Sequence, residues 1–304
     1  MIPMRSAWVR LPAILLMIAA TAGCDVLQPG ASGASHPADP EHAQAQDALA
    51  RWADAAAKSG GSTISFVGDQ TGMIGSFEPA VGDNAKRALL AGLFVATTPL
   101  SDDRPSRGKV HWIDGASVDV DVLSAADALD DMVAAAAAAG GECGDCLPLR
   151  VTEAHLATGL VETTQGPAEA PLWVFTIDGT AVRITRVAVD PSITVVPPPY
   201  NADHPPAGLS FDLAIGAPGS TKLTVSFTGA PGAGDKPCGA DYTAEAVESD
   251  LAVVVIVVEH KGPPAAGCSA VGKTRTATAT LAEPLGKRAV LEVTQGLPVP
   301  VHAP

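Results

Sequence analysis

Two short stretches of this 304-residue chain carry residue types that chemistry uses. The first, Cys143-Gly144-Asp145-Cys146, is a C-x-x-C pair, which can cycle between dithiol and disulfide when its first sulfur is acidified at a helix N-terminus. Here the helical pattern lies before the pair and ends at Gly140-Gly141, and Leu147-Pro148 leads towards a strand. No helix N-terminus is expected to face Cys143. The expectation is a small disulfide pinning a Gly-Asp turn, with an envelope thiol–disulfide redox protein as the alternative. Zinc would need a second C-x-x-C or a matched His pair, and neither occurs. The second stretch, Gly267-Cys268-Ser269-Ala270-Val271-Gly272-Lys273-Thr274, spells the phosphate-loop pattern GxxxxGKT letter for letter. Phosphate binding requires a helix after that loop, whose first amides receive the anion. The residues after Lys273 alternate with period two and Pro284 follows, so a strand is expected and a nucleotide is not.

Weaker candidates resolve the same way. Residues 68–82 form a glycine-rich loop ahead of a short helix near 84–91; its glycines are read as turn formers, with an anion cradle as the lesser reading. Asp127, Asp130 and Asp131 lie in the first half of a helix, where the dipole and solvent favour them. The seven histidines, His36, His42, His111, His155, His204, His260 and His302, have no metal-ligand spacing. There is no G-x-S-x-G elbow and no H-E-x-x-H helix. No catalytic, cofactor-binding or metal-ligating residue is therefore assigned, and no enzyme activity is expected.

The chain's beginning carries a different kind of information. Arg5 and Arg10 precede an apolar run over 11–20, LPAILLMIAA, that ends in Thr21-Ala22-Gly23-Cys24, and no acid appears before Asp25. The run is too short to span a bilayer and is flanked like an export signal. Its small-small-Cys ending resembles a bacterial lipobox. The resemblance implies cleavage of residues 1–23 and attachment of a diacylglyceryl group to the Cys24 sulfur, leaving palmitate-type acyl chains in the membrane. Each buried methylene contributes about 0.8 kcal/mol, and two chains anchor a protein where one does not. The expected location is the extracytoplasmic face of the cell membrane, with membrane lipid as the partner. Residues 24–39 are then the lipidated cysteine and a flexible Gly/Ser/Pro/Ala tether.

Composition agrees with an exterior protein. Lys and Arg number 19 against 33 Asp and Glu, a formal charge of −14, and removing Arg5 and Arg10 with the signal leaves −16. An acidic body with six Phe, four Trp and two Tyr offers neither the basic patch nor the stacking faces that nucleic acid needs. With 47% hydrophobic and 17% charged residues, a substantial core is expected. Beyond Cys24 the cysteines are even in number, Cys143, Cys146, Cys238 and Cys268, and their positions suggest one local disulfide in each half.

Periodicity supplies the scaffold. Asp39-Pro40 opens a helix to about 59, with Ala45, Ala48, Leu49, Trp52 and Ala56 on one face. A second long helix, capped by Ser124, runs to about 139. Strands are expected over 62–67, 92–97, 110–113, 117–123, 149–163 and 172–189, the last folded at Asp178-Gly179 into a two-residue type I′ hairpin. That register would pair Phe175 with Val182 and Trp173 with Ile184, placing all four on one face. Residues 40–190 are read as an α+β domain and the proline-rich 191–208 as a semi-rigid linker. Residues 209–304 read as an all-β domain, a small and possibly Ig-like sandwich around the unbroken apolar run LAVVVIVV over 251–258. The lipobox together with CGDCLPLRVTEAHL, VETTQGPAEAPLWVFTIDGTAVRITRVAV, DYTAEAVESDLAVVVIVV and LAEPLGKRAVL resembles a family of uncharacterised actinobacterial lipoproteins. The resemblance implies location and architecture and transfers no catalytic residue.

Overall fold

The computed structural model describes residues 39–77, 82–265, 267–268 and 270–304. The signal segment, Cys24 and the tether up to residue 38 lie outside the described residues. The fold is mostly β, and the chain from Ala38 to Pro304 clusters as one unit. No helix among the described residues is long and apolar enough to cross a membrane.

Helix α1 (Pro40–Lys58) starts where Asp39-Pro40 requires, the Asp39 carboxylate accepting from the Glu41 N–H at 3.4 Å. Its buried stripe of Ala45, Ala48, Leu49 and Trp52 does not face the first half of the chain, with which the sequence grouped it. It packs on β11 (Ala252–Lys261) and β13 (Ala289–Glu292), against Val254, Ile256 and Leu291. Periodicity identifies which face of a helix is apolar and says nothing about what covers it. Gln44 fastens the contact, its side-chain amide donating to the Val293 carbonyl at 2.5 Å and accepting from the Ala207 N–H at 3.2 Å.

A seven-stranded sheet is built from β1 (Thr71–Ile74), β2 (Phe94–Ala96), β3 (Gly108–Trp112), β4 (Ser117–Val120), β5 (Leu149–Thr163), β6 (Gly166–Ile177) and β7 (Arg183–Val187). The order is β1-β7-β6-β3-β4, with β5 along the opposite side of β6 and β2 beside the first residues of β5. Helices α2 (Gly82–Leu90) and α3 (Ala125–Ala138) cover one face, where Ala88, Leu129 and Met132 meet Trp173, Phe175 and Ile184. Ser124 caps α3 by accepting from the Asp127 N–H at 3.0 Å, as its sequence indicates. On the other face Ile64 and Phe66 pack with Val110 and Trp112 of β3.

Three expectations here need correction. The β6–β7 hairpin forms, yet Phe175 pairs with Ile184 and Trp173 with Arg186, so a longer loop over 178–182 replaces the two-residue turn. The Asp178 N–H is taken by the Arg150 carbonyl of β5, and the Arg183 guanidinium holds the carbonyls of Ala181 and Val182, which fixes the wider loop. A slip of two residues keeps every side chain on its face, so Trp173, Phe175, Val182 and Ile184 remain together. Residues 62–67 are extended without a ladder of their own, joined by one bridge from Phe66 to Thr163. Part of the glycine-rich loop is β1, where Gly72 lies so close to β7 that an added Cβ would fall 2.6 Å from the Thr185 hydroxyl.

The remaining strands are β8 (Leu213–Ile215), β9 (Lys222–Gly229), β10 (Ala240–Glu248), β12 (Lys273–Thr280), β14 (Pro298–Val299) and β15 (Val301–His302). They form two four-stranded sheets, β10-β11-β13-β14 and β12-β9-β8-β15, which share a core of Val253, Val255 and Val257 against Leu223, Val225 and Phe227. Alternate residues of β11, Ala252, Val254 and Ile256, point the other way to α1. An unbroken apolar run is thus a strand covered on both faces. The two ends of 191–208 join the body and its middle, 196–206, is exposed: Ile193 is buried and its N–H donates to the Ile64 carbonyl at 2.7 Å, and the Ala207 N–H donates to Gln44.

Beside β10, the guanidinium of Arg288 donates to Glu248 at 2.6 Å and to the carbonyls of Glu283, Pro284 and Leu285. The pair is largely buried, at 11% and 18% side-chain exposure. Burial alone would raise the Glu248 pKa, and the Ala282 N–H and Arg288 outweigh it, so the carboxyl is held below its ordinary value.

Two outcomes follow from this packing. Trp52→Ala empties the α1 contact and is expected to lower unfolding free energy by about 3–5 kcal/mol in urea denaturation, with an unchanged slope. Glu248 has a depressed folded pKa, so its stabilisation is complete above the ordinary carboxylate value and is withdrawn as pH falls through the folded one. The stability gap between the parent and Glu248→Gln, followed from pH 7 to 3, should therefore be constant near neutrality and close below the ordinary carboxylate value near 4.5.

Candidate functional site

The C-x-x-C pair lies after the end of α3, beyond Ala139 and the left-handed Gly140. That places it past the negative end of the helix dipole, the opposite of what acidifies a thiol. Cys143 and Cys146 are joined as a disulfide with Cα atoms 5.5 Å apart. Asp145 sits with an oxygen 3.6 Å from the Cys143 sulfur. Arg87 of α2 hydrogen-bonds and ion-pairs with Asp145, which holds that carboxyl below its ordinary value. Asn84, also from α2, accepts from the Leu147 N–H at 2.8 Å and donates to its carbonyl at 3.1 Å. The turn is thus clamped on both sides by one short helix. A carboxylate beside Cys143 disfavours a thiolate there, and its pairing with Arg87 offsets part of that charge.

Cys238 and Cys268 form the second disulfide, again with Cα atoms 5.5 Å apart, and bracket the β10–β11 hairpin. The GxxxxGKT string runs from beside this bond directly into β12, with Lys273 as the first residue of the strand. Ser269 lies outside the described residues. A strand in place of a helix removes the amide cradle that the motif requires. Asp127 is engaged with Arg104 at 3.2 Å on the surface, and Asp131 has its pKa raised, chiefly by partial burial. Cys143, Asp145 and Cys146 are the close ligand group found among the described residues, and the two sulfurs are committed to the disulfide.

One of two concavities of similar size lies where the extended segments 65–70 and 193–195 meet 210–212 and the turn after β13. It encloses about 500 Å³. Phe66, Ile193 and Phe211 supply an apolar wall. Gln70, Thr194, Ser210, Asp212 and Gln295 border it, and their side chains make no hydrogen bond to other described residues. No Lys or Arg lines it. Such a lining suits an uncharged ligand with hydroxyl or amide groups better than an anion.

The turn at its rim depends on a residue that sequence reading passed over. Glu292 is 6% exposed. One oxygen accepts from the Gln295 N–H at 2.7 Å, the other from the Thr294 N–H at 2.8 Å and from the Thr294 hydroxyl. Gly296 closes the turn at φ 71°, with an added Cβ falling 2.5 Å from Arg51 Nη2. The signal was present as Glu-Val-Thr-Gln-Gly, an acid followed by a hydroxyl residue and a glycine at turn spacing, and it read only as the end of a strand. Glu292 faces the cleft with its oxygens already satisfied, so its work is to hold the rim.

No protein-family model, curated protein or solved structure matches the chain.

The two disulfides close loops of very different length, with sequence separations of 3 and 30. Loop-closure entropy then assigns them about 2 and about 4 kcal/mol. The double variant Cys143→Ser/Cys146→Ser should lose roughly half as much stability as Cys238→Ser/Cys268→Ser in matched denaturant titrations.

Proposed function

We propose that this chain is a lipid-anchored extracytoplasmic protein, a binding or structural module of the cell envelope tethered through acylated Cys24. The observation that carries the reading is the order of features at the chain's start: Arg5 and Arg10, the apolar run over 11–20, then Thr21-Ala22-Gly23-Cys24. Two disulfides in the folded body support it, because such bonds persist in oxidising compartments. The cleft bordered by Gln70, Asp212 and Gln295 supports the binding half of the reading, with an uncharged polar molecule as the ligand class. Kinship with actinobacterial lipoproteins belongs to the same proposal. So does the finer division of the fold into an α+β part up to residue 190 and an Ig-like sandwich from 209, with α1 assigned to the sandwich it covers.

The thiol–disulfide alternative rests on Cys143 and Cys146 alone, and the carboxylate beside Cys143 weighs against it.

Cys24→Ser tests the anchor. In the native host the parent is expected to lose residues 1–23, gain the mass of its acyl groups and partition with membranes. The variant should show neither the acyl mass nor the membrane partition. Identical masses and identical fractionation of the two would overturn the proposal.

A further inference from the structure

Strand β5 is fifteen residues long and is paired with β6 along most of its length, yet its other side is covered only at the two ends. At one end β2 pairs with residues 149–151, and the Thr97 N–H donates to the Val151 carbonyl. At the other, the Val67 N–H donates to the Glu162 carbonyl and the Thr164 N–H to Ser65. Between these points no described residue pairs with the outer edge.

Backbone chemistry says which groups face outward. Thr158 lies opposite Pro171 and Glu162 opposite Pro167 in the β5–β6 ladder. Proline has no N–H to exchange, so these must be non-hydrogen-bonded pairs, and the amides of Thr158 and Glu162 point away from β6. The outward Glu162 carbonyl confirms that phase. With no register shift after Glu153, the same phase holds for Ala154, Leu156 and Thr158 through Leu160. Their N–H and C=O groups form an unpaired row, a template for one more strand.

The usual protections of such an edge are missing. From Ala154 to Val161 there is no Lys and no Pro, and His155 is the one titratable residue. Leu156 and Leu160 stand 41% and 69% exposed on the same face, with Thr158 between them. A second copy's β5, paired antiparallel about Thr158, would set its own 65–67 segment, bonded at Glu162 and Thr164, against residues near 154, so a short guest suits the window better. The window, closed at both ends, takes an extended segment of about seven residues at 3.4 Å per residue. Glu153 flanks one end, and Glu169 lies opposite Leu160 near the other, where Glu162 already faces His302 Nε2 at 3.3 Å. These acids favour cationic ends on the guest.

We propose that the β5 edge between residues 153 and 162 is a docking site for a short extended peptide segment of a partner protein, apolar at alternate positions and basic at its ends, which adds a strand to the seven-stranded sheet. Main-chain bonds would come from Leu156, Thr158 and Leu160, and the two leucines would receive the guest's apolar side chains. This site is separate from the cleft and from the anchor at Cys24.

The test uses the full chain and a seven-residue probe of alternating valine and threonine with a lysine at each end, acetylated and amidated. Its counterpart with proline at the central position is the control. In the free chain the amides of Leu156, Thr158 and Leu160 should exchange with deuterium faster than the ladder amides of His155 and Ala157. Saturating probe should slow the three outward amides at least tenfold, and the control should not. Thr158→Pro removes the central outward donor without touching the β6 ladder and should weaken the probe at least tenfold, while Thr158→Val should leave binding unchanged. Leu160→Lys serves the same purpose should Thr158→Pro fail to fold. Protection of the outward amides in the free chain would overturn the proposal. So would equal binding of probe and control, no binding of the probe at 1 mM, or unchanged binding by both disruptive variants.

Discussion

The fold hangs on the two-sided burial of β11. Val253, Val255 and Val257 enter the core shared by the two four-stranded sheets, and Ala252, Val254 and Ile256 enter the core beneath α1. One apolar strand can satisfy both layers because its side chains alternate, but it needs a cover on each side. The sandwich supplies one. The other comes from residues more than two hundred positions earlier, Ala45, Ala48, Leu49 and Trp52, with Ile193 beside them. Without α1, the outer face of β11 and Leu291 would expose an apolar surface to water, at roughly 25 cal/mol per Å². The helix that leads in from the chain's start is therefore structurally part of its last sheet. In the proposed anchored state, the tether joins the body at the element that closes the sandwich, and any pull from the membrane acts first on that closure.

Charge inside the body is spent on turns. Glu292 collects the amides and hydroxyl of its own turn, and Glu248 with Arg288 ties the 281–289 loop to β10. Each oxygen of both carboxylates accepts from a donor of the loop it holds, so these acids fasten turns. The cleft offers polar groups still open to a ligand, Gln70, Ser210 and Gln295 among them. This division separates groups that maintain shape from groups that could recognise something.

Local chemistry was legible in the sequence where it depends on near neighbours. Asp39-Pro40 and Ser124 capped the helices they announce, and each of the four cysteines beyond Cys24 paired with the partner its neighbourhood suggested. What depended on distant partners was not. The apolar stripe of α1 was visible, but not the sheet it covers. Asp178-Gly179 marked a turn correctly, while the length of that turn was decided by Arg150 on a neighbouring strand and by Arg183 across the loop. The Glu292 turn was hidden because a carboxylate reads as surface until its donors are seen to come from the next five residues. At the cleft, the lining residues come from segments as far apart as Gln70 and Gln295, and no spacing rule links them.

The two disulfides show how position, more than cysteine spacing, decides what a bond does. Cys143 and Cys146 close a turn already gripped by Asn84 and faced by Asp145, so the bond adds rigidity to a site that α2 holds in any case. Cys238 is different. It is the non-glycine residue with positive φ, 59°, among the described residues, a backbone conformation that costs an L-residue roughly 1–2 kcal/mol. Its neighbour Gly239 is pressed so close to Ala233 that an added Cβ would fall within bonding range of the Ala233 carbonyl oxygen. That corner starts β10, the strand beside β11, and nothing in its own propensity favours the shape. The covalent link to Cys268 restricts the unfolded chain most where the folded one needs holding. A disulfide at the entrance to β10 is of the kind that persists in an oxidising compartment, and it agrees better with the proposed location than the C-x-x-C motif does.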